Sequence, residues 1–243
     1  MSRRQVIKRP ASIIPACLIG LVATLAGPAQ AAGTVVEQRP VAGIRHVVMR
    51  ATGELLVRQG PSESLQIEAE AHLLPKISSE VRNGTLLLAF NAPQITTSYP
   101  MVFRLTVKHL ESLDSVASAD VSIGALRADS FVLKLTGSGD IGIEALDAGR
   151  FETQLSGAGT VRVDDGQVGE QALRLQGSGD YVAGALESRK TSVTIDGSGN
   201  ATVRASEQLV VRIAGSGDVR YYGHPRVDQI ISGAGSVSRA EAP

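Results

Sequence analysis

The sequence predicts an all-β chain: a parallel β-helix, or β-solenoid, with 18–20-residue Gly-x-Gly coils and an irregular β N-terminal part. Three observations carry that expectation. "TGSGDIGI", which begins at Thr136, returns as "SGAGTVRV", "QGSGDYVA", "DGSGNATV", "AGSGDVRY" and "SGAGSVSR" at a nearly constant step. Apolar residues alternate with polar or small ones on both flanks of each copy. The chain is 43% hydrophobic yet holds only four Phe, four Tyr and no Trp, so its core is aliphatic and suits a narrow interior.

In chain order, residues 1–31 have the layout of a cleaved signal peptide. Arg3, Arg4, Lys8 and Arg9 form a basic start, an apolar stretch follows, and Ala29-Gln30-Ala31 is a small-x-small cleavage pattern with the cut expected after Ala31. The apolar stretch carries Pro15 and Gly20 and falls short of the roughly 20 residues a permanent span needs. "SRRQVIK" fits the twin-arginine export signal, and it fits an ordinary basic start as well; both routes stay open. Cys17, the only cysteine, lies inside this leader behind Ile14-Pro15-Ala16, a poor context for lipid attachment. The mature chain then has no thiol for disulfides, catalysis or metal binding. The full sequence holds 24 Lys+Arg and 24 Asp+Glu, and the leader takes four bases and no acid, leaving 20 against 24 and a net charge of −4. A mildly acidic exported chain argues against nucleic acid as a partner.

Residues 32–40 read as a flexible N-terminal segment, and 41–239 as a single β-solenoid domain without a linker. Within it, "VVMRATGELLV" from Val47 looks like a degenerate coil with Ala51-Thr52-Gly53-Glu54 at its bend. "SLQIEAEA" is a strand, and "EVRNGTLLLAF" from Glu80 places Asn-Gly between two apolar runs, a hairpin signal. Asn83-Gly84-Thr85 also fits a glycosylation site, and the turn reading is preferred.

Regular repeats begin at about residue 115. The first glycines of the copies are Gly137, Gly157, Gly177, Gly197, Gly215 and Gly233, with steps of 20, 20, 20, 18 and 18. The second glycines, Gly139, Gly159, Gly179, Gly199, Gly217 and Gly235, keep register. Counting back 20 residues gives Ala117-Ser118-Ala119-Asp120, a glycine-free copy. Leu133/Leu135, Leu173/Leu175, Val193/Ile195 and Val211/Ile213 precede the glycines, and Val121/Ile123, Ile141/Ile143, Val161/Val163 and Ala201/Val203 follow the polar position. Ala125, Ala145, Ala185 and Ala205 form a further column. This is the period of strands with one buried face. Each copy reads as strand, Gly-x-Gly bend, strand and short third side, giving seven or more coils over 115–239. Glycine at such a bend permits positive φ, and stacked bends leave little room for Cβ atoms.

The residue after each second glycine forms a polar bend column: Asp120, Asp140, Thr160, Asp180, Asn200, Asp218 and Ser236. A calcium ladder would need a nine-residue repeat and several oxygens per turn, so these side chains are read as acceptors for nearby backbone N–H groups. "GSGDIG" from Gly137 matches a dinucleotide fingerprint, but the fingerprint needs a helix to start there, and "IGIEA" continues as strand.

The order "GELLVRQGPSESLQIEAEAHLLPKISSEVRNGTLLL" followed by repeated "GSGD" resembles the exported bacterial family described as "putative auto-transporter adhesin, head GIN domain", over roughly residues 41–239. The resemblance implies a right-handed β-helix and a role in adhesion or the cell envelope, and it carries over no catalytic residues. No barrel-forming segment follows the repeats, so the chain is not expected to act as an autotransporter by itself.

Chemistry is sparse. His46, His72, His109 and His224 lack metal-ligand spacing, no G-x-S-x-G elbow occurs, and Asp164-Asp165 is an adjacent pair suited to a turn rather than to flanking one glycosidic bond. Neither cofactor, metal nor catalytic group is expected. The only tyrosines of the repeat are Tyr181, Tyr221 and Tyr222. The reading is a non-enzymatic, exported binding module of the adhesion type, periplasmic or surface-associated, whose partner is an envelope protein or glycan. It would use exposed strand residues such as Lys134, Arg174, Arg212 and Arg220. The alternatives are a structural or assembly component of the envelope, self-associating through the solenoid ends, and a β-helix polysaccharide lyase or hydrolase.

Overall fold

A computed structural model describes residues 33–241 apart from Pro93 and Ala117. The expected leader, Cys17 and the first residue of the glycine-free copy lie outside the described residues. Strand follows strand, and among the described residues the only helical piece is the 3-10 turn Leu74–Lys76.

The repeats stack in parallel, each residue beside its counterpart one coil on. On one side Leu135, Leu155, Leu175, Ile195 and Ile213 form a column, and on the next Val121, Ile141, Val161, Tyr181, Ala201 and Val219 do so. All of these side chains are buried. Removing each Leu, Ile or Val from water contributes roughly 1.5–3 kcal/mol, and the columns repeat that gain at every step. The strands Asp120–Gly137 and Ile141–Gly157 each run round the corners of nearly a whole coil. The parallel β-helix expected from the repeat is the observed fold. It has about six turns rather than seven or more, because seven bend copies bound six intervals.

The glycine columns explain themselves in the backbone. Gly137, Gly157, Gly177, Gly197, Gly215 and Gly233 all have positive φ, from 121° to 149°. A Cβ on Gly157, Gly177, Gly197, Gly215 or Gly233 would also lie 2.0–2.5 Å from the carbonyl oxygen of the first glycine one coil before. The second glycines are excluded from carrying a side chain by the same stacking: a Cβ on Gly199 would lie 2.2 Å from Gly179 O. Those carbonyls are themselves acceptors. Gly157 O receives Ser178 N and Gly179 N at 3.0 Å, and Gly177 O receives Ser198 N at 2.9 Å and Gly199 N at 3.1 Å.

The shorter coils lose their two residues on the third side. Tyr181 pairs with Ala201 and Lys190 with Gln208, so the stretch between the bend strand and the next long strand shrinks there. This separates the alanine column. Ala125 and Ala185 are exposed and Ala145 half-buried, whereas Ala205 turns into the core.

Before the repeats the pairing is mixed. Glu54–Gln59 lies parallel to the start of Asp120–Gly137, with Glu54 beside Asp120, which places Gly53 (φ 127°) at a bend in register with the repeat. Val102–Val107 continues that sheet in parallel, and Ser64–Glu70 and Thr34–Arg39 close it antiparallel. The segment 32–40, expected to be flexible, therefore holds an edge strand. Its burial does not alternate cleanly, with Val35 exposed and Val36 only half-buried, which is why its pattern was weak in sequence. On the other side Ser112–Ser115, His46–Met49 and Thr85–Phe90 run parallel, and Ile77–Arg82 closes the sheet as a hairpin whose Asn83 and Gly84 both have positive φ. Two positive-φ residues in a two-residue loop match the twist of the flanking strands.

The two ends differ. The outermost N-terminal strands carry ion pairs, Arg39–Glu37 at 2.7 Å and Arg82–Glu80 at 2.6 Å, and charge on an edge strand discourages further pairing. At the other end Arg226–Gly233 has hardly any burial, and Ile230 and Ile231 are 62% and 37% exposed.

The stacking argument separates two glycine substitutions. Gly197→Ala forces φ 149° on alanine and sets its Cβ 2.3 Å from Gly177 O, so it is expected to cost at least about 2 kcal/mol. Gly142→Ala has open space on its face and is expected to be neutral or stabilising by up to about 1 kcal/mol. Urea unfolding of the two variants measures the difference, and equal effects would contradict the account.

Candidate functional site

The polar bend column is a ladder between coils. Asp120 Oδ1 accepts Asp140 N at 3.1 Å, and Asp140 Oδ1 accepts Thr160 N at 2.8 Å. Asp180 Oδ1 accepts both the backbone N and Nδ2 of Asn200, Asn200 Oδ1 accepts Asp218 N, and Asp218 Oδ1 accepts the N and Oγ of Ser236. Each side chain thus satisfies a donor one coil further on. Thr160 departs from the pattern, because Asp180 N bonds Gly159 O instead. These carboxylates are engaged in the fold. Among the described residues no group of three His, Cys, Asp or Glu side chains is placed to hold a metal ion.

One stretch of the interior is polar. Phe131 and Phe151 stack with centroids 5.7 Å apart and planes at 4°, and the same column continues as Gln171 and Thr191. Gln171 Nε2 donates to the Tyr181 hydroxyl at 2.5 Å. Thr191 Oγ1 lies 2.5 Å from Ser188 Oγ, which donates to Arg204 O at 2.5 Å. Thr153 Oγ1 faces the phenol without a well-formed hydrogen bond. Burial drives the Tyr181 pKa well above its ordinary value of 10.0, against the opposing hydrogen bond from Gln171.

The outward faces carry the remaining candidates. Lys134, Gln154, Arg174, Thr194 and Arg212 form one outward column, so its cations stand about two coil steps apart, roughly 10 Å at the sheet spacing. Arg174 also pairs with Asp196 at 2.8 Å. Arg220 lies on a different face, in the column of Arg162, Val182 and Thr202. Asp164 and Asp165 sit at a corner: Asp164 is 3.7 Å from Arg162, and Asp165 Oδ1 accepts Gly166 N at 2.7 Å. The four histidines are dispersed, with His46 bonded to Ser112 at 2.9 Å and His224 contacting Arg239.

On the Arg220 face a shallow dip of about 260 Å³ opens. Val182, Gly184 and Thr202 floor it, Arg162 and Asp164 stand on one side, and Arg204 and Tyr222 on the other. Arg204 Nε donates to Gly184 O at 2.8 Å, and its guanidinium carbon lies 5.5 Å from the Tyr222 ring centroid. The ring leans over Gly184 so closely that a Cβ there would be 2.6 Å from Tyr222 Cε2. The three repeat tyrosines therefore part company: Tyr181 is core, Tyr221 packs against the core, and Tyr222 faces outward. Residue types alone did not reveal the dip. Its signal is the pair of positions two and four past the polar column, read across coils.

The family model described as "putative auto-transporter adhesin, head GIN domain" matches residues 45–225. The chain belongs to this family. Several crystal structures are similar to it. A putative adhesin from Bacteroides fragilis NCTC 9343 is 21% identical with a TM-score of 0.81, over 88% of this chain and 100% of that one. A putative adhesin from Parabacteroides distasonis ATCC 8503 is 20% identical with a TM-score of 0.69, over 85% and 97%. A putative lipid binding protein from the same organism is 19% identical, also at 0.69, over 86% and 97%. At these identities the likeness shows the shared fold alone. No curated protein matches the chain. The GIN-domain chain has, among its described residues, no helix long and apolar enough to cross a membrane.

The buried phenol gives a pH dependence with a definite sign. Its folded-state pKa is raised, so its contribution to stability is complete below pH 10 and is lost as pH rises beyond that value. In an alkaline titration, tyrosinate absorbance from Tyr181 is expected to appear only with unfolding, and Tyr181→Phe should remove that late component. Early ionisation of Tyr181 in the folded chain would refute the placement.

Proposed function

We propose that this GIN-domain chain is an exported, non-catalytic binding module of the cell envelope that holds its ligand on the outward face of its coils. The dip between Arg162 and Tyr222 carries the reading. It is the place on that face where an apolar floor, an aromatic ring and charged side chains converge. Membership of an adhesin-like family supports an exported or surface position. The neighbouring acids support binding over turnover, since Asp140, Asp180 and Asp218 hold backbone donors and Asp164 faces Arg162. A general acid or base has to be available to the reacting group.

A second reading, end-on assembly, is favoured by one observation: Ile230 and Ile231 stand exposed on a terminal strand at the edge of the sheet. An apolar unpaired edge is a template for association.

The chain starting at Ala32, the expected mature N-terminus, separates these readings. Incubated with a glycan array and with envelope extract beside a turnover assay on acidic polysaccharides, it is expected to capture a partner without forming product. Turnover that survives purification and is lost on replacing an acid would overturn the binding reading. Sedimentation of Ile230→Lys against the parent tests assembly: a fall in association supports it, and unchanged association contradicts it.

A further inference from the structure

We propose that the dip is a subsite for one pyranose ring of a polysaccharide, an inference that rests on the binding-module reading. A pyranose offers an apolar C–H face on one side and vicinal hydroxyls at its rim. The dip presents the complementary set. Tyr222 supplies an aromatic surface for the C–H face. Arg162 supplies the planar fork of donors and Asp164 the acceptor that together grip paired hydroxyls or a ring carboxylate. Thr202 adds a hydroxyl and Val182 an apolar floor.

Size agrees with a single ring. Three coil steps separate the coil of Arg162 from that of Tyr222, about 14 Å at the sheet spacing, and the Tyr222 ring leans back over Gly184 into that gap. The volume of about 260 Å³ falls just below the range of roughly 300 Å³ and upward that encloses drug-sized ligands. The opening is shallow, so the ring would be one unit of a longer chain lying across the coils.

The site is organised before any ligand arrives. Arg204 is tied to Gly184 O at 2.8 Å, and its guanidinium carbon stands over one face of the Tyr222 ring, 5.5 Å from the centroid. Its own carbonyl receives Ser188 Oγ from the buried polar cluster. A side chain fixed in this way loses little freedom on binding. Gly184 has a separate part to play. Its φ is unexceptional, unlike that of the bend glycines, and its missing Cβ makes room for the tyrosine edge. The glycine therefore shapes the ring's position without being needed for the turn.

The experiment is a nitrogen-15 NMR titration of the chain from Ala32 with two probes, a neutral glucan oligosaccharide and an oligogalacturonate. Either probe is expected to shift the amides of Val182, Thr202, Arg204 and Tyr222. Tyr222→Ala and Gly184→Ala are each expected to weaken that binding by roughly tenfold or more, Tyr222→Phe to retain most of it, and Arg82→Ala on the exposed N-terminal hairpin to leave it unchanged. Thermal melts matching the parent exclude misfolding, and Tyr222→Phe provides the readout if Gly184→Ala destabilises the chain. Sugar binding indifferent to Tyr222→Ala would overturn the subsite and leave the binding module standing. Capture of an envelope protein with no sugar response would do the same. Absence of any partner would overturn both.

Discussion

Stacked coils bring equivalent backbone atoms within one sheet spacing of each other, and at the Gly-x-Gly corner that spacing leaves no place for a β-carbon. The carbonyl that would collide with it, such as Gly157 O, is the same oxygen that accepts the next coil's amides. Close approach and hydrogen bonding at the corner are therefore one requirement. It fixes residue identity at eleven glycines, holds the strands in register, and so aligns every inward aliphatic column and every outward polar one. The core follows from the corner.

Register has a second consequence, for charge. Identical acids stacked at each step would repel, and the bend column mixes Asp with Thr, Asn and Ser. Each remaining carboxylate is offset by an N–H donated from the neighbouring coil. What the column gains in structure it gives up in reactivity, and the outward chemistry moves to positions two and four residues further along. There the coils are unalike, and unlike neighbours make a surface with a recognisable shape.

Sequence reading reached the periodic features and missed those that depend on two coils at once. The glycine steps, the alternation around Leu133 to Ile213 and the Asn83-Gly84 hairpin each follow from local rules that the structure obeys. The edge strand Thr34–Arg39 was missed because it buries only Thr34 fully and leans on Ser64–Glu70 for its pairing. Ala205 shares the spacing of Ala125, Ala145 and Ala185 but not their exposure, because a two-residue shortening on the third side turns it into the core, and spacing cannot show where in a coil the residues are lost. Arg204 and Tyr222 lie 18 residues apart and meet only through the stack. Gly184 looks in sequence like any other glycine, yet it is the floor beneath that tyrosine.

Amide hydrogen exchange at the corners tests the central claim most directly. Ser178, Ser198 and Ser216 sit at exposed bends, where surface loop amides ordinarily exchange fast. If the corners are bonded from coil to coil as described, their amides, held to Gly157, Gly177 and Gly197 carbonyls at 2.9–3.0 Å, will be protected to the same degree as the strand amides of Leu175 and Ile195. Exchange at the rate of unstructured loops at all three serines, with the strands still protected, would contradict the stacked corner as the element on which the fold depends.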